Sequence, residues 1–283
     1  MNKLDTKRRA QIIKCLCEGL SVRATCRITG ADKKTVLKLL VKVGDACLDY
    51  QNKVMVNLPC KRLQADEVWS FCYSKAKNVP AEKRGQFGYG DVWTWTVIDA
   101  DTKLIPTWRV GTRDAGTAHD LMMDLAPRLR GRVQLTTDGL RSYLDAVEDA
   151  FGIDIDYAQL VKVYGENTKE EQRRYSPAVC LGTERKVIMG EPNPDHISTS
   201  YVERHNLTIR MSNRRFTRLT NAFSKKLENH CHALAVFFMF YNFCRIHQSL
   251  RVTPAMEAGI ADHVWTVEEI VGLVVEEDVV ILR

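Results

Sequence analysis

Nine cysteines are present, yet none are set in a C-x-x-C pair, and the most apolar run, Ala233 to Phe243, is too short to cross a bilayer. Cys15, Cys17 and Cys26 are near one another, but the first two fall in a helical pattern, where side chains two apart point different ways. Zinc is therefore not expected, and the cysteines read as reduced core residues. With no secretory leader pattern and no bilayer-length segment, the expectation is a cytoplasmic protein. Acid is also scarce in one place. From Arg204 to Arg251 only Glu228 stands against Arg204, Arg210, Arg214, Arg215, Arg218, Lys225, Lys226, Arg245 and Arg251.

What is present is polarised. The formal charge of +6 over 283 residues conceals a basic segment up to Arg62, the basic stretch just described, and an acidic tail carrying Asp262, Glu268, Glu269, Glu276, Glu277 and Asp278. Two basic regions with interleaved Asn213, Phe216 and Thr217 are the electrostatic footprint of a phosphate-rich partner, so DNA is the expected ligand. No membrane partner is expected.

Between these basic regions stand three acidic residues in informative contexts: Asp66 in LQADEVWSF, Asp138 in QLTTDGLRSY and Glu203 in STSYVERHNLTIR. Leu63 to Phe71 alternates as a half-buried strand, and Val133 to Thr137 is a short β-prone run ended by Asp138-Gly139, so the first two carboxylates are expected at a strand-end rim. Ser198, Thr199 and Ser200 are helix N-cap residues, placing Glu203 in a first turn. Carboxylates gathered from separate elements repel unless a cation neutralises them. All-oxygen ligation suits Mg²⁺ or Mn²⁺, and a pair of such ions is expected. Two ions can assist in-line displacement at a phosphodiester. Glu67 competes with Asp66, because adjacent strand residues face opposite sides and either could meet the site; Asp66 is preferred.

The first 61 residues read as three helices, Asp5 to Glu18, Ser21 to Thr29 and Asp32 onward, broken at Gly19 and Gly30. This is a helix-turn-helix pattern, in which Lys33, Lys34, Thr35 and Lys38 would enter the major groove. The alternative is a packing or dimerisation unit. A helical stretch through Leu48 ends before Pro59, and the domain boundary is placed there.

Further on, Asp91 to Ala100 and Lys103 to Val110 read as a hairpin joined at Ala100-Asp101. With the Asp66 strand they form an antiparallel trio. A helix over Thr117 to Arg130, the Asp138 strand, a helix over Leu140 to Phe151 and a strand near Ile153 to Ala158 follow, giving a β-β-β-α-β-α-β-α order. Trp69, Trp93, Trp95 and Trp108 read as core or interface residues, and Ala233 to Phe243 as a buried helix on the sheet.

DEVWSF, TTDG and YVERHNLTIR, in that order, resemble the three signature segments of DDE transposases, most closely the insertion-sequence-one family, over about Leu63 to Pro254. The resemblance implies an α/β, RNase H-like catalytic core with a mixed five-stranded sheet and flanking helices, preceded by the all-α helix-turn-helix unit. It implies Asp66, Asp138 and Glu203 as metal ligands. Asn206 and Arg210, three and seven residues after Glu203, match polar positions of the family's catalytic helix, and those spacings share one helical face. Arg214 and Arg215 complete the expected DNA contacts, and Arg245 and His247 fall near the site's edge. His247 is weighed as an acid–base group against a structural role.

The chain departs from compact members of that family in the 64 residues between Asp138 and Glu203. The excess, about 161–197, reads as an insertion with a hairpin around Gly182, directed at DNA, at a partner subunit, or at neither. The expected organisation is 1–61 helix-turn-helix and linker, 62–256 catalytic, and 257–283 acidic tail. The implied activity is metal-dependent cleavage at terminal inverted repeats and transfer of the freed 3′-hydroxyl to target DNA by a homodimer or larger assembly. Two rivals stand beside it, a helix-turn-helix regulator with a non-catalytic RNase H-like domain and a simple metal-dependent nuclease.

Overall fold

A computed structural model of the protein describes residues 4–165, 180–217 and 220–274. Its centre is a mixed sheet of β1 (Arg62–Cys72), β2 (Gly90–Asp99), β3 (Trp108–Gly111), β4 (Gln134–Asp138), β5 (Asp156–Tyr164) and β6 (Cys180–Met189). The spatial order is β3-β2-β1-β4-β5-β6. β1, β2 and β3 pair antiparallel, β4 runs parallel to β1 and to β5, and β6 returns antiparallel to β5. The expected element order is observed, but the sheet has six strands rather than five. The insertion supplies the sixth. Gly182, expected at a hairpin tip, lies within β6 opposite Val163, and β5 is the strand that β6 pairs with. The basic KEEQRRYSP segment lies outside the described residues.

Parallel pairing requires crossovers, and helices α4 (Ala115–Leu125) and α5 (Ser142–Phe151) provide them between β3 and β4 and between β4 and β5. Asp114 caps α4 by accepting from the Thr117 amide at 2.9 Å. Ala118, Leu121, Met122 and Leu125 on α4 and Tyr143, Ala146 and Val147 on α5 are buried, joining Leu63, Ala65 and Trp95 in one apolar cluster. On the other sheet face, α6 (Ser200–Ser212) and α7 (Leu227–Phe243) place Val202, Ile209, Leu234, Phe237, Phe238 and Tyr241 against Val68 and Ile98. Trp108 stacks on Phe238 at 5.0 Å between centroids, and Trp95 is fully buried.

From Ala233 onward helix α7 is largely apolar on all sides because it is covered on two sides, by the sheet and by the N-terminal helices. α1 (Thr6–Cys17), α2 (Val22–Thr29) and α3 (Lys33–Val54) start at Asp5, Ser21 and Asp32, each of which accepts a first-turn amide with its side chain. α3 is one helix of 22 residues, absorbing the stretch through Leu48. It runs along α7 with its backbone so close that a Cβ on Gly44 would fall 2.5 Å from that of His232. Ala10, Ile13, Cys17, Leu40, Val43 and Cys47 belong to the same apolar cluster as Leu63 and Trp95. The division at residue 61 thus falls between two parts of one core. α8 (Pro254–Glu257) and α9 (Val267–Gly272) close the described chain, with α9 packed on α1. Among the described residues no helix is long and apolar enough to cross a membrane. Glu276, Glu277 and Asp278 of the acidic tail lie outside them.

Candidate active site

The pairing of β1 with β4 ends at Ala65 and Thr137, whereas β1 continues to Cys72 alongside β2. Asp66, expected at a strand end, is therefore inside β1 at the point where its pairing with β4 stops, and Asp138 is the last residue of β4. The two carboxylates meet at this step in the sheet. Asp66, Glu67 and Asp138 present carboxylate oxygens within 4.8 Å of one another.

The period-two geometry of a strand sends Asp66 and Glu67 to opposite faces. Asp66 turns towards α6, where Asn206 Nδ2 donates to its Oδ2 at 2.8 Å and the Glu67 amide donates to its Oδ1 at 2.8 Å. Burial, the neighbouring Glu67 charge, and then Asp138 and Glu203 push the Asp66 carboxyl up to about 7. Glu67 turns towards α5. Its side chain is 1% exposed, Arg113 Nε donates to Oε1 at 2.8 Å, and the Tyr143 hydroxyl donates to Oε2 at 3.1 Å. Burial and Asp138 raise its pKa, while Arg113 and Tyr143 oppose the rise. Burial and the Glu67 charge raise the Tyr143 phenol well above its usual range, so it stays a donor.

Glu203 sits in the first turn of α6, as expected, and is half-buried. Thr199 is the N-cap, but its hydroxyl goes to Glu203 Oε1 at 2.5 Å instead of to a backbone amide. The open amides of Tyr201 and Val202 are taken by Gln64 Oε1 at 2.9 and 3.1 Å, which pins α6 to β1 two residues before Asp66. Lys162 Nζ on β5 lies 2.6 Å from Glu203 Oε1. Glu203 is held by this ion pair and is not one of the three carboxylates that lie within 4.8 Å of one another.

Val202, His205 and Ile209 form the buried stripe of α6, and this orients Glu203, Asn206 and Arg210 along an adjacent face. Arg210 is half-buried on that face. His205 sits against Phe237, Phe238 and Tyr241, and burial holds its pKa down to about 3, so it is a neutral packing group. His247 pairs with Ser249 Oγ at 3.0 Å outside the carboxylate cluster, its pKa lowered by burial, Lys103 and Arg245.

Of the expected DNA contacts, Lys33, Lys34 and Lys38 are exposed on the first turns of α3 and Thr35 is half-buried between them. Arg214 is half-buried after α6. Arg215 is also half-buried; it lines a small, partly open cleft with Leu16, Leu40 and Phe237, and burial lowers its pKa to about 10. That places it between the N-terminal helices and α7. Sequence reasoning missed Arg113, Tyr143, Gln64 and Lys162. Lys162 carried a signal, a lone charge in the β-prone run LVKVY. Arg113 carried none, being 46 residues from Glu67.

All-oxygen donors at these separations suit a hard divalent cation. Oxygens within 4.8 Å of one another are near the roughly 4.2 Å that separates trans oxygens on one octahedral Mg²⁺ with ligands at about 2.1 Å. Burial and the repulsion of the neighbouring carboxylates, which together raise the Asp66 carboxyl, are what such an ion would offset.

No family model and no curated protein sequence match the chain. Among solved structures it is similar to the piggyBac transposase synaptic complex with hairpin DNA, at 11% identity over 97% of this chain and 72% of that one, with a TM-score of 0.42. It is also similar to the Mos1 strand transfer complex, at 10% identity over 83% of this chain and 78% of that one, with a TM-score of 0.25. The Mos1 mariner paired end complex with Mn gives 10% identity over 84% of this chain and 77% of that one, with a TM-score of 0.28. At these values no residue role follows from them.

Proposed function

We propose that the protein is a DDE-type DNA transposase of the insertion-sequence-one kind, which binds the ends of its element and catalyses metal-dependent cleavage and strand transfer. The carrying observation is the convergence of Asp66 and Asp138, with Glu203 one ion pair away, at the break between β1 and β4. The sheet order β3-β2-β1-β4-β5 with helices on both faces suits an RNase H-like core extended by one strand. Asp66, Asp138 and Glu203 would hold two Mg²⁺ or Mn²⁺ ions, which when bound supply activation of the attacking hydroxyl and stabilisation of the leaving oxygen.

The chain's own groups do the rest. Asn206 fixes Asp66 by donating to Oδ2, so that its other lone pairs face the cluster. Glu203, held by Lys162 in the described structure, would complete the ligand set, and Lys162 would stand beside it as a positive charge for a substrate phosphate. Arg210 and Arg214 neutralise the substrate strand, and Lys33, Lys34, Thr35 and Lys38 engage duplex DNA as a helix-turn-helix unit. Residues 1–61 would bind the terminal inverted repeats and 62–256 would carry the chemistry. The 161–197 insertion and the 257–283 tail are accessory. Because two ends must be held together, a homodimer or larger assembly is required, and a gel-filtration mass that stays monomeric on paired-end DNA would count against it.

The test is Mg²⁺-dependent cleavage and joining of labelled DNA bearing the element's ends, with wild type and Asp138→Asn side by side. Joined product lost in the variant supports the transposase. Cleavage without joining points to a nuclease, and tight binding with neither reaction points to a DNA-binding regulator.

A further inference from the structure

Arg113 stands at the corner between β3 and α4, and the corner is fixed from both sides. Asp114 caps α4 through the Thr117 amide and also binds the Thr112 hydroxyl, while Trp95 Nε1 donates to the Thr112 carbonyl at 3.1 Å. The guanidinium lies over the Trp93 ring at 4.9 Å from its centroid. Its Nε and Nη2 both reach Glu67 Oε1 at 2.8 Å, and Nη2 is 3.8 Å from Asp138 Oδ2. Tyr143 occupies the other Glu67 oxygen. Glu67 is thereby the most buried carboxylate of the cluster and has a partner on each oxygen.

A buried carboxylate beside two others is costly unless a cation compensates it. Arg113 is the cation the described structure places against this cluster, touching one member and approaching a second. We propose that Arg113 is a built-in counter-charge: it holds Glu67 in the wall of the site as a fixed anion, keeps the cluster assembled without a divalent ion, and limits how tightly such an ion binds. Arg113 is thus a positioning residue that trades metal affinity for a preformed site. The inference rests on the metal-centre reading above, and it assigns Glu67 a role distinct from that of Asp66.

The experiment is calorimetric Mn²⁺ titration of the full chain without DNA, together with melting temperatures in chelator and in saturating Mn²⁺. Arg113→Gln is expected to bind Mn²⁺ about tenfold more tightly, since removing a unit charge a few ångströms from a divalent ion removes a sizeable repulsion. Its melting temperature falls in chelator and recovers in Mn²⁺. Arg113→Lys keeps the charge and stays within about twofold of wild type, a comparison that survives even if the glutamine variant does not fold. The double variant Glu67→Gln/Arg113→Gln regains melting temperature in chelator relative to Arg113→Gln alone, because the anion needing compensation is gone. The inference is overturned if Arg113→Gln melts lower by the same amount with and without Mn²⁺ at unchanged affinity, or if Arg113→Lys binds as tightly as the glutamine variant is expected to. Wild type that takes up no Mn²⁺ would instead bring down the metal-centre reading, and this inference with it.

Discussion

Asp66 and Glu67 are neighbours on β1, yet the two sides of the sheet treat them oppositely. On the α6 side Asp66 accepts from two neutral donors, the Asn206 amide and a backbone N–H, and its carboxyl rises to about 7. On the α5 side Glu67 is more deeply buried but is met by a guanidinium and a phenol. Burial alone therefore does not decide which carboxylate is short of positive charge. The side chains facing it do.

The largest effect that would break this comparison is on the chemistry itself. Asp66→Asn and Asp138→Asn should each lower metal-dependent cleavage on the order of a thousandfold or more, while Glu67→Gln, removing a wall residue, should cost about tenfold. Single-turnover cleavage rates at saturating metal check this, and equal losses at positions 66 and 67 would erase the distinction.

Next in size is stability against pH. A carboxyl raised above its unfolded value binds its proton more tightly in the folded chain, so folding stability falls as pH climbs from about 4 to about 7 and the loss is complete above that. In chelator, chemical denaturation should show a decline of about 2–4 kcal/mol across this window. Asp66→Asn should flatten it. Saturating Mn²⁺ should flatten it too, since the ion holds the carboxylate charged.

The two arginines after α6 form a parallel pair. Arg215→Ala should destabilise the fold by about 1–3 kcal/mol through lost packing beneath the N-terminal helices. Arg214→Ala should leave the melting temperature within a degree or so and weaken DNA binding. Smallest is the effect at α3. Each of Lys33→Ala, Lys34→Ala and Lys38→Ala should reduce the salt slope of DNA affinity by about one unit and leave cleavage at saturating DNA unchanged.

Much of this was legible because it is local. The alternation of Leu63 to Phe71, the end of β4 at Asp138, and the starts of three helices near Asp5, Ser21 and Asp32 follow from neighbours in the chain. The face shared by Glu203, Asn206 and Arg210 follows from helical period. β6 was misread because a ten-residue strand with Gly182 inside it looks locally like two short strands and a turn. Only β5, opposite it, shows the glycine to be paired. The N-terminal helices were legible one by one. Their burial on α7 was not, since it depends on Gly44 meeting His232 across the fold.

The sequence by itself determined which residues form strands and helices and which acids stand at their turning points, because backbone propensity, capping and periodicity act over a few residues. Tertiary structure decided which cation meets which carboxylate. Arg113 reaches Glu67 across 46 positions and Lys162 reaches Glu203 across 41. Coulomb energy depends on distance in space and on the dielectric around the pair, and neither is written in the spacing along the chain.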